Sequence, residues 1–525
     1  MKKILLSWLL ALIAPFSFGQ SYPSPTYNNL TVVGAFTATG KVTTADLATQ
    51  AANTVLANAT GASSSPTAFS MPGCSSAASA LTWTSGTGFA CNSSINAATL
   101  GGATFAAPGP IGATTASTGA FTTMSVSGLA SFTTITPTAP TALMGDNSTK
   151  LATTGFVARH APCPSILDNG GDNTGVNDNS TAFATTAALG PSGNACVYFP
   201  PGTYAFSGSV SYTMPTNTAS ITVLGAGQDV TKLVWASGGG LTLNFITDAN
   251  SAHVRDLTFA TGTTNTGIGI FFQQTAANTS YSYNAIMSDV SNVTIRGNDG
   301  YVATDYWQYG IDDFGVSNIN FIGVNILGAS ARGGTGIITH GDINRIPVQF
   351  NVVACNFAGL TTGFDYDAYT QGVSISASNF TNESTGIYTN GSALDQLTVT
   401  GSQFNATNID INMNSPVLQT MIYGNLFLLQ TNANGIYLNP SSSLSIVGNS
   451  FAPNPSATNT NGITFNGYNA LSSVVTGNNF AQLTTGVNLT SNAKYVNVQG
   501  NTYSGDANTV INNCTTGCTV GVATQ

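Results

Sequence analysis

Four ionisable side chains in the middle of the chain stand at positions that one face of a repeated strand would share. Asp312, His340, Asp365 and Asp367 each lie two or four residues after a glycine that opens an apolar–polar alternation. Inverting glycosidases use carboxyl groups about 6.5–9.5 Å apart, of which one protonates the leaving oxygen and the other activates water. We therefore predict Asp365, Asp367 and Asp312 as catalytic residues of a hydrolytic site.

The alternation indicates which way these side chains point. Positions one and three after the glycine are apolar in most copies, so they should face a core, and positions two and four should face outward. In parallel strands about 4.8 Å apart, His340 would lie beside Asp367, and Asp312 would lie two strands from Asp365.

Aromatic and basic side chains beside these acids predict a carbohydrate-binding surface. Trp307 and Tyr309 precede the first of the acids in a stretch that interrupts the repeat, and Tyr388 stands at an outward position of a later copy. Exposed aromatic rings suit stacking against sugar rings. We expect these three rings, with His340 and Arg345, to bind substrate.

Other interpretations of the same residues stay open. Exposed Asp and His can simply keep a β surface soluble and prevent edge pairing, which would leave a non-catalytic adhesin. A polysaccharide lyase needs a base, for which Arg345 is the candidate near the cluster. The expected register would turn Asp313 inward and Asp410 outward.

A ladder of aromatic residues sets the repeat that must position this site. It runs, with gaps of 23, 24, 23, 24, 29 and 23 residues, through Phe357, Phe380, Phe404, Phe427, Phe451, Phe480 and Tyr503. A nearly fixed period is typical of repeat architectures, in which each unit buries its face against its neighbours.

Each repeat contains short strands and turns with no room for a helix. Two apolar residues precede the aromatic at alternate positions, as Val373 and Ile375 do, which is the pattern of a strand with one buried face. A turn with Gly and Asn follows, as at Gly424-Asn425, and stacked Asn side chains can hydrogen-bond along a ladder. A second strand then begins with Gly and an apolar residue. The fold class is therefore all-β, a parallel β-helix of stacked coils.

Composition narrows the range of partners. Only 6% of the residues are charged, and 11 Lys and Arg against 20 Asp and Glu give a net charge of −9. Because the sequence contains no basic stripe, we expect no nucleic-acid partner.

The N-terminus and the cysteines fit an exported protein. Lys2 and Lys3 precede an apolar run that ends at Phe16, too short to span a bilayer, so residues 1–19 are predicted as a signal peptide. We expect no membrane span in the mature chain. The plausible local disulfides are Cys74 with Cys91, Cys163 with Cys196 and Cys514 with Cys518, and they leave Cys355 as a small buried turn residue.

Residues 20–160 are rich in Thr, Ala, Ser and Gly and nearly uncharged. Such a segment cannot bury a large core alone, so a stalk of extended chains that trimerise around an axis is expected. Within it, Ala139-Pro-Thr-Ala-Leu-Met-Gly-Asp-Asn-Ser-Thr-Lys-Leu-Ala-Thr-Thr-Gly-Phe-Val157 resembles a segment common in bacteriophage tail fibres and tailspikes.

The next block is similar to the start of the pectate-lyase-like superfamily. It contains an acidic loop at Asp172, a short helical stretch near 180–189 and Val197-Tyr-Phe-Pro-Pro-Gly-Thr-Tyr204. This resemblance implies a right-handed single-stranded parallel β-helix over residues 161–525, with the helix covering its open end. Relatives include lyases, hydrolases, epimerases and non-catalytic binders, so the fold specifies no reaction. We interpret the acidic loop as a turn with a helix cap at Asp178 or Asn179 rather than a calcium site, and we predict no metal and no cofactor.

The combined expectation is a tailspike-like homotrimer that binds a bacterial surface polysaccharide. Hydrolysis by Asp365, Asp367 and Asp312 is the further hypothesis, and a non-catalytic adhesin and a polysaccharide lyase are the alternatives. The export signal predicts a secreted or cell-surface location, whereas the tailspike resemblance predicts a virion tail.

Overall fold

The computed structural model describes two units, on either side of a boundary between residues 134 and 135. The described residues are 33, 51–58, 60–64, 66–74, 80–92, 163–190, 193–277, 285–439, 443–467 and 473–521. The predicted signal peptide and most of the predicted stalk lie outside these residues. The domain boundaries at 19/20 and 160/161 stay predictions.

Two antiparallel hairpins form the described part of the first unit. Their strands are β1 (Thr54–Ala57), β2 (Thr67–Ser70), β3 (Ala80–Thr84) and β4 (Gly88–Asn92). The Trp83 ring packs against Phe69 and Phe89, with centroids 5.8 and 4.7 Å away. The predicted Cys74–Cys91 disulfide is present, with the two Cα atoms 5.4 Å apart.

The second unit is a right-handed parallel β-solenoid of about 13 turns, which confirms the predicted fold class. Its described helices are a short 3₁₀ helix (Ile166–Asn169) and α1 (Ser180–Ala187). The strands are β5 (Thr174–Asp178), β6 (Asn194–Tyr198), β7 (Gly202–Phe206), β8 (Val210–Thr213), β9 (Ser220–Leu224), β10 (Thr231–Trp235), β11 (Leu241–Phe245), β12 (Ser251–Thr261), β13 (Ile268–Gln274), β14 (Ser288–Gly297), β15 (Tyr309–Phe314), β16 (Ile319–Ile322), β17 (Asn325–Leu327), β18 (Thr335–His340), β19 (Val348–Val353), β20 (Asn356–Ala358), β21 (Thr362–Tyr366), β22 (Gln371–Ser376), β23 (Asn379–Thr381), β24 (Thr385–Thr389), β25 (Leu394–Thr400), β26 (Gln403–Asn405), β27 (Ile409–Met413), β28 (Val417–Tyr423), β29 (Leu426–Leu429), β30 (Asn434–Leu438), β31 (Ser443–Val447), β32 (Ser450–Pro453), β33 (Asn461–Phe465), β34 (Ser473–Thr476), β35 (Asn479–Ala481), β36 (Thr485–Leu489), β37 (Val496–Gln499), β38 (Thr502–Ser504), β39 (Asn508–Asn512) and β40 (Thr519–Val520).

From β16 onward each coil contributes three short strands rather than the two that the repeat pattern predicted. Two of them, such as β19 and β20, belong to a 24-stranded sheet, and the third, such as β21, belongs to a 12-stranded sheet. The turn with Gly and Asn lies between the two strands of the larger sheet. The residue before Asn takes a left-handed conformation that ends the first of these strands, as Gly424 does at φ 66°. Strands of successive coils pair in parallel, so equivalent residues form straight ladders.

Two of these ladders lie in the interior of the coils, beside rows of buried Val, Ile and Leu. Neighbouring rings of the predicted aromatic ladder stack with centroids 4.5–5.1 Å apart. At the turns, Asn425 donates to Asn449, and Asn449 donates to Asn478, at 3.0 and 2.9 Å. Both ladders confirm the sequence prediction, and the second satisfies amides that would otherwise be buried without partners.

The first coil begins as the resemblance implied. Phe183 of α1 stacks on Phe199 at 6.4 Å, so the helix covers the apolar interior. The carboxylate of Asp172 accepts hydrogen bonds from the backbone of Thr174 and Asn177, as expected of a turn. Asn179 occupies the N-cap position but makes no side-chain cap, which corrects that alternative, whereas Asp178 Oδ1 accepts from the Ser180 hydroxyl at 2.9 Å. The described residues contain no group of three metal-ligating His, Cys, Asp or Glu side chains.

The remaining cysteines also follow the prediction. Cys163–Cys196 and Cys514–Cys518 are disulfides, with Cα atoms 5.0 and 6.2 Å apart. Cys355 is buried in a turn, and its backbone N–H donates to Ser378 Oγ. Among the described residues, no helix is long and apolar enough to cross a bilayer.

Candidate functional site

The predicted site lies on the outer side of the 12-stranded sheet, where β15, β18, β21 and β24 are consecutive strands. Asp312 is in register with Ile338, Ile338 with Asp365, and Asp365 with Tyr388. Asp312 and Asp365 are therefore two strands apart, about 9–10 Å between Cα atoms. This register is the one that the sequence predicted. We call the outward side of these four strands the site face.

Asp312 and His340 contact each other directly. His340 Nε2 lies 2.8 Å from Asp312 Oδ1, and the imidazole packs 5.2 Å from the ring of Phe314. Burial opposes the charged imidazolium, but the hydrogen bond to Asp312 and the negative charges of Asp312, Asp367 and Asp365 raise the pKa of His340. Near neutral pH a larger share of His340 is therefore cationic than of a free imidazole.

Asp365 and Asp367 occupy the same face of the chain segment that begins with β21. Asp365 lies on β21, and Asp367 directly follows that strand, with its backbone N–H donating to Thr339 O at 3.0 Å. Burial and the charge of Asp367 raise the pKa of Asp365 to about 7, although the charge of His340 opposes them. Asp365 Oδ1 is buried without a hydrogen-bond partner, whereas Asp367 Oδ1 accepts from the Ala368 backbone at 2.7 Å. Asp365 can therefore hold a proton at neutral pH, which an ordinary Asp cannot.

Two tyrosines border the acids. Tyr388 follows Asp365 along the ladder and is partly exposed, and Tyr309 begins β15. Burial and then the nearby carboxylates raise the pKa of both phenols. The two hydroxyls therefore stay protonated, and each can donate a hydrogen bond.

Arg345 stands beside the acids in a short turn. Its Nη1 donates to Asp342 Oδ2 at 2.7 Å, and its guanidinium lies 5.2 Å from the centroid of Phe314. The backbones of Arg345 and Asp342 form an antiparallel bridge. A carboxylate and an aromatic ring hold this guanidinium in place. Arg345 is therefore not an unpaired base of the kind that the lyase interpretation needs.

The structure corrects two sequence interpretations. Trp307 was expected to stack on sugar, but it is only 3% exposed, because the interruption of the repeat turns its ring into the core at 5.9 Å from Trp235. Asp410 was expected to point outward, but it lies opposite Gly386 in the ladder and is fully buried. Asn412 takes the outward position next to Tyr388 instead.

Asp313 points inward, as the register predicted, and is fully buried. Burial and the charge of Asp312 raise its pKa well above the usual range of a carboxyl group. The sequence reasoning missed Phe314, which packs against both His340 and Arg345. Its signal was present, because it stands four residues after Gly310, the outward position that His340 occupies in the next coil.

No protein-family profile and no curated protein sequence matches this chain. Among solved structures, it is similar to tailspike protein 3 of bacteriophage CBA120, with 18% identity and a TM-score of 0.48 over 66% of this chain and 53% of that one. The A-module of the Azotobacter vinelandii mannuronan C-5 epimerase AlgE4 has 14% identity and a TM-score of 0.44 over 68% and 100% of the two chains. The Streptococcus pneumoniae surface adhesin PfbA has 14% identity and a TM-score of 0.44 over 66% and 93%. The match thus spans about half the length of the tailspike.

Proposed function

We propose that the solenoid binds a bacterial surface polysaccharide across the site face and hydrolyses it. The observation that carries this proposal is the pairing of Asp365, whose buried Oδ1 has no hydrogen-bond partner and whose pKa is raised to about 7, with a second carboxyl group, Asp367. General acid–base hydrolysis needs one carboxyl group that can donate a proton near neutral pH beside a second that can accept one, and the raised pKa of Asp365 suits the first role.

The proposed reaction uses one carboxyl group for each proton transfer. Asp365 donates its proton to the glycosidic oxygen as the bond from that oxygen to the anomeric carbon breaks. A water molecule attacks the anomeric carbon from the opposite face, and Asp367 accepts the proton that this water loses. Inverting enzymes hold their two carboxyl groups about 6.5–9.5 Å apart, which leaves room for this water molecule.

The other residues of the site face would hold the substrate. Asp312 anchors His340, which leaves the imidazole in a fixed position beside Asp367. Tyr309 and Tyr388 offer a ring edge and a hydroxyl at the two ends of the cluster, where a sugar unit on each side of the cleaved bond could pack. Arg345 can contact a substrate hydroxyl from the turn after β18.

A non-catalytic adhesin is the second candidate function. It is favoured by the ladder that continues from Tyr388 through Asn412 and Tyr437, since these side chains can hydrogen-bond a glycan without any acid. An extended polysaccharide could follow this ladder across several coils.

The deciding experiment is release of reducing ends from purified capsular polysaccharides and O-chains. Asp365→Asn and Asp367→Asn should each lower the rate by at least about a hundredfold, with glycan binding retained. Asp395→Asn, on β25 of the other sheet, is the matched control and should keep full activity. Binding without release by the wild type would leave the adhesin, and ultraviolet absorbance of unsaturated product ends would indicate a lyase.

We also propose that the protein acts as a homotrimer in a phage tail or at a cell surface. Support for association comes from five exposed apolar side chains of one coil, which we call the β28–β29 face: Leu418, Met421, Tyr423, Leu426 and Leu428. Mass spectrometry of the mature N-terminus would separate the two locations. Cleavage after Gly19 favours export, and an intact Met1 in virions favours the tail.

A further inference from the structure

His340 on the site face and Arg345 in the turn after β18 are each held by a carboxylate. His340 pairs with Asp312 at 2.8 Å, and Arg345 pairs with Asp342 at 2.7 Å. Asp365 and Asp367 form no ion pair with any cation of the described residues. The part of the site that would contact the cleaved bond therefore carries an uncompensated negative charge.

The other described arginines do not compensate this charge. Arg255 pairs with Asp289 and Arg296 with Asp229, and both arginines lie on strands of the 24-stranded sheet. Arg332 lies three residues before the start of β18, whereas His340 is the last residue of that strand. A ligand at Asp365 would therefore contact carboxylates before any unpaired cation.

We propose that the substrate is a neutral polysaccharide, without uronic acid, sulfate or phosphate at the units that flank the cleaved bond. This inference rests on the proposed function and specifies its substrate class. A carboxylate on either flanking sugar would lie within a few ångströms of the Asp367 carboxylate, where like charges repel and water cannot fully screen them.

The negative charge of the site also favours hydrolysis over elimination. Hydrolysis passes through an oxocarbenium-like transition state, in which positive charge develops at the sugar ring, and a neighbouring carboxylate stabilises it. Elimination from a uronate passes through an enolate-like transition state with extra negative charge, which the Asp367 carboxylate would destabilise. The predicted cleavage therefore leaves saturated ends.

The test compares each acidic polymer with its own neutral form. Bacterial polysaccharides that contain uronic acid are measured beside the same polymers after chemical reduction of their carboxyl groups, with neutral O-chains alongside. The wild type should bind reduced polymers about tenfold or more tighter than the acidic originals at low salt. Added salt should narrow that difference by strengthening binding of the acidic form, because it screens the repulsion.

Two variants tie the preference to the site. Asp367→Asn should reduce the preference for the neutral form, and Asp395→Asn should leave it unchanged. If the wild type binds acidic polymers as tightly as reduced ones, the substrate class is overturned while polysaccharide binding stands. If it binds no polymer of either kind, the proposed function is wrong, and the inference that rests on it is wrong as well.

Discussion

Asp365 and His340 affect each other's protonation because they lie on adjacent strands of the site face. The imidazolium charge lowers the pKa of Asp365, against burial and the charge of Asp367, which raise it to about 7. A general acid must be protonated, so the cleavage rate should fall as pH rises through about 7.

The fall in rate above about pH 7 is the basic limb of the pH profile, and His340→Gln should therefore move this limb to higher pH. The substitution removes the positive charge that lowers the pKa of Asp365. Burial and the charge of Asp367 then raise that pKa further. The measurement is kcat/KM against pH for wild type and variant, with Asp395→Asn, on β25 of the other sheet, as the control. A limb that stays in place or moves to lower pH would contradict the assigned role of Asp365.

Three carboxyl groups inside the solenoid make a second residue-scale prediction. Asp313, Glu383 and Asp410 are fully buried, and burial raises the pKa of each well above its ordinary value. In the folded state they keep protons that the unfolded chain loses above about pH 4. Their stabilising contribution is complete below that pH and is lost as pH rises towards the folded-state values, by up to about 1.4 kcal/mol per group and pH unit.

We therefore expect a lower melting temperature at about pH 8 than at about pH 5. Asp313→Asn, which cannot ionise, should reduce that difference, and Asp395→Asn should not. The depressed pKa values of Asp172 and Asp289 act in the opposite direction, but only as pH falls below about 4. Equal melting temperatures of the Asp313→Asn and wild-type proteins at both pH values would refute this account.

At the scale of elements, the aromatic ladder is one of the features that hold neighbouring coils together. Phe404 stacks on Phe380 and Phe427, with centroids 4.8 and 4.9 Å away, whereas Tyr503 stacks within the described ladder on Phe480 alone. Phe404→Ala should cost about 3–5 kcal/mol of unfolding free energy, and Tyr503→Ala should cost less, because a terminal ring leaves a smaller cavity. Chemical denaturation of the two variants tests this order, and equal losses of unfolding free energy would contradict it.

The same ladder explains how much of the fold the sequence could predict. Because Phe and the paired Gly-Ile strands recur at nearly constant spacing, register, interior and the outward position of Asp312, Asp365 and Tyr388 follow from counting. Counting fails where a coil departs from the period. Asp410 replaces the glycine that opens the other strands, so the count slipped by two residues. Trp307 lies in the irregular stretch before β15, where only packing decides its direction.

Electrostatic properties of the site could be predicted only in part. The sequence places the acids on one face, but it does not show that Asp365 Oδ1 is buried without a partner or that Arg345 is paired with Asp342. Those two facts depend on how far each side chain is covered by its neighbours. They decide which carboxyl keeps its proton and whether a cation is available to the substrate.

At the scale of the whole molecule, the β28–β29 face is the strongest indication of self-association. Its five side chains are 38–53% exposed, and β28, β29 and the flanking strand β31 contain no charged residue. A chain of net charge −9 would meet a second copy here without repulsion between like charges. Contiguous exposed apolar surface of this kind marks interaction sites.

If the protein is the proposed trimer, Met421→Glu combined with Leu426→Glu should shift it to monomer in sedimentation velocity, because the double variant buries two carboxylates of each copy at the contact. Asn488→Glu, on the 12-stranded sheet, adds a charge elsewhere and should leave the proposed trimer intact. A wild type that sediments as a monomer would contradict the association. Since the β28–β29 face and the site face belong to different sheets, the monomeric variant should still bind polysaccharide at each site and lose only the avidity of linked sites.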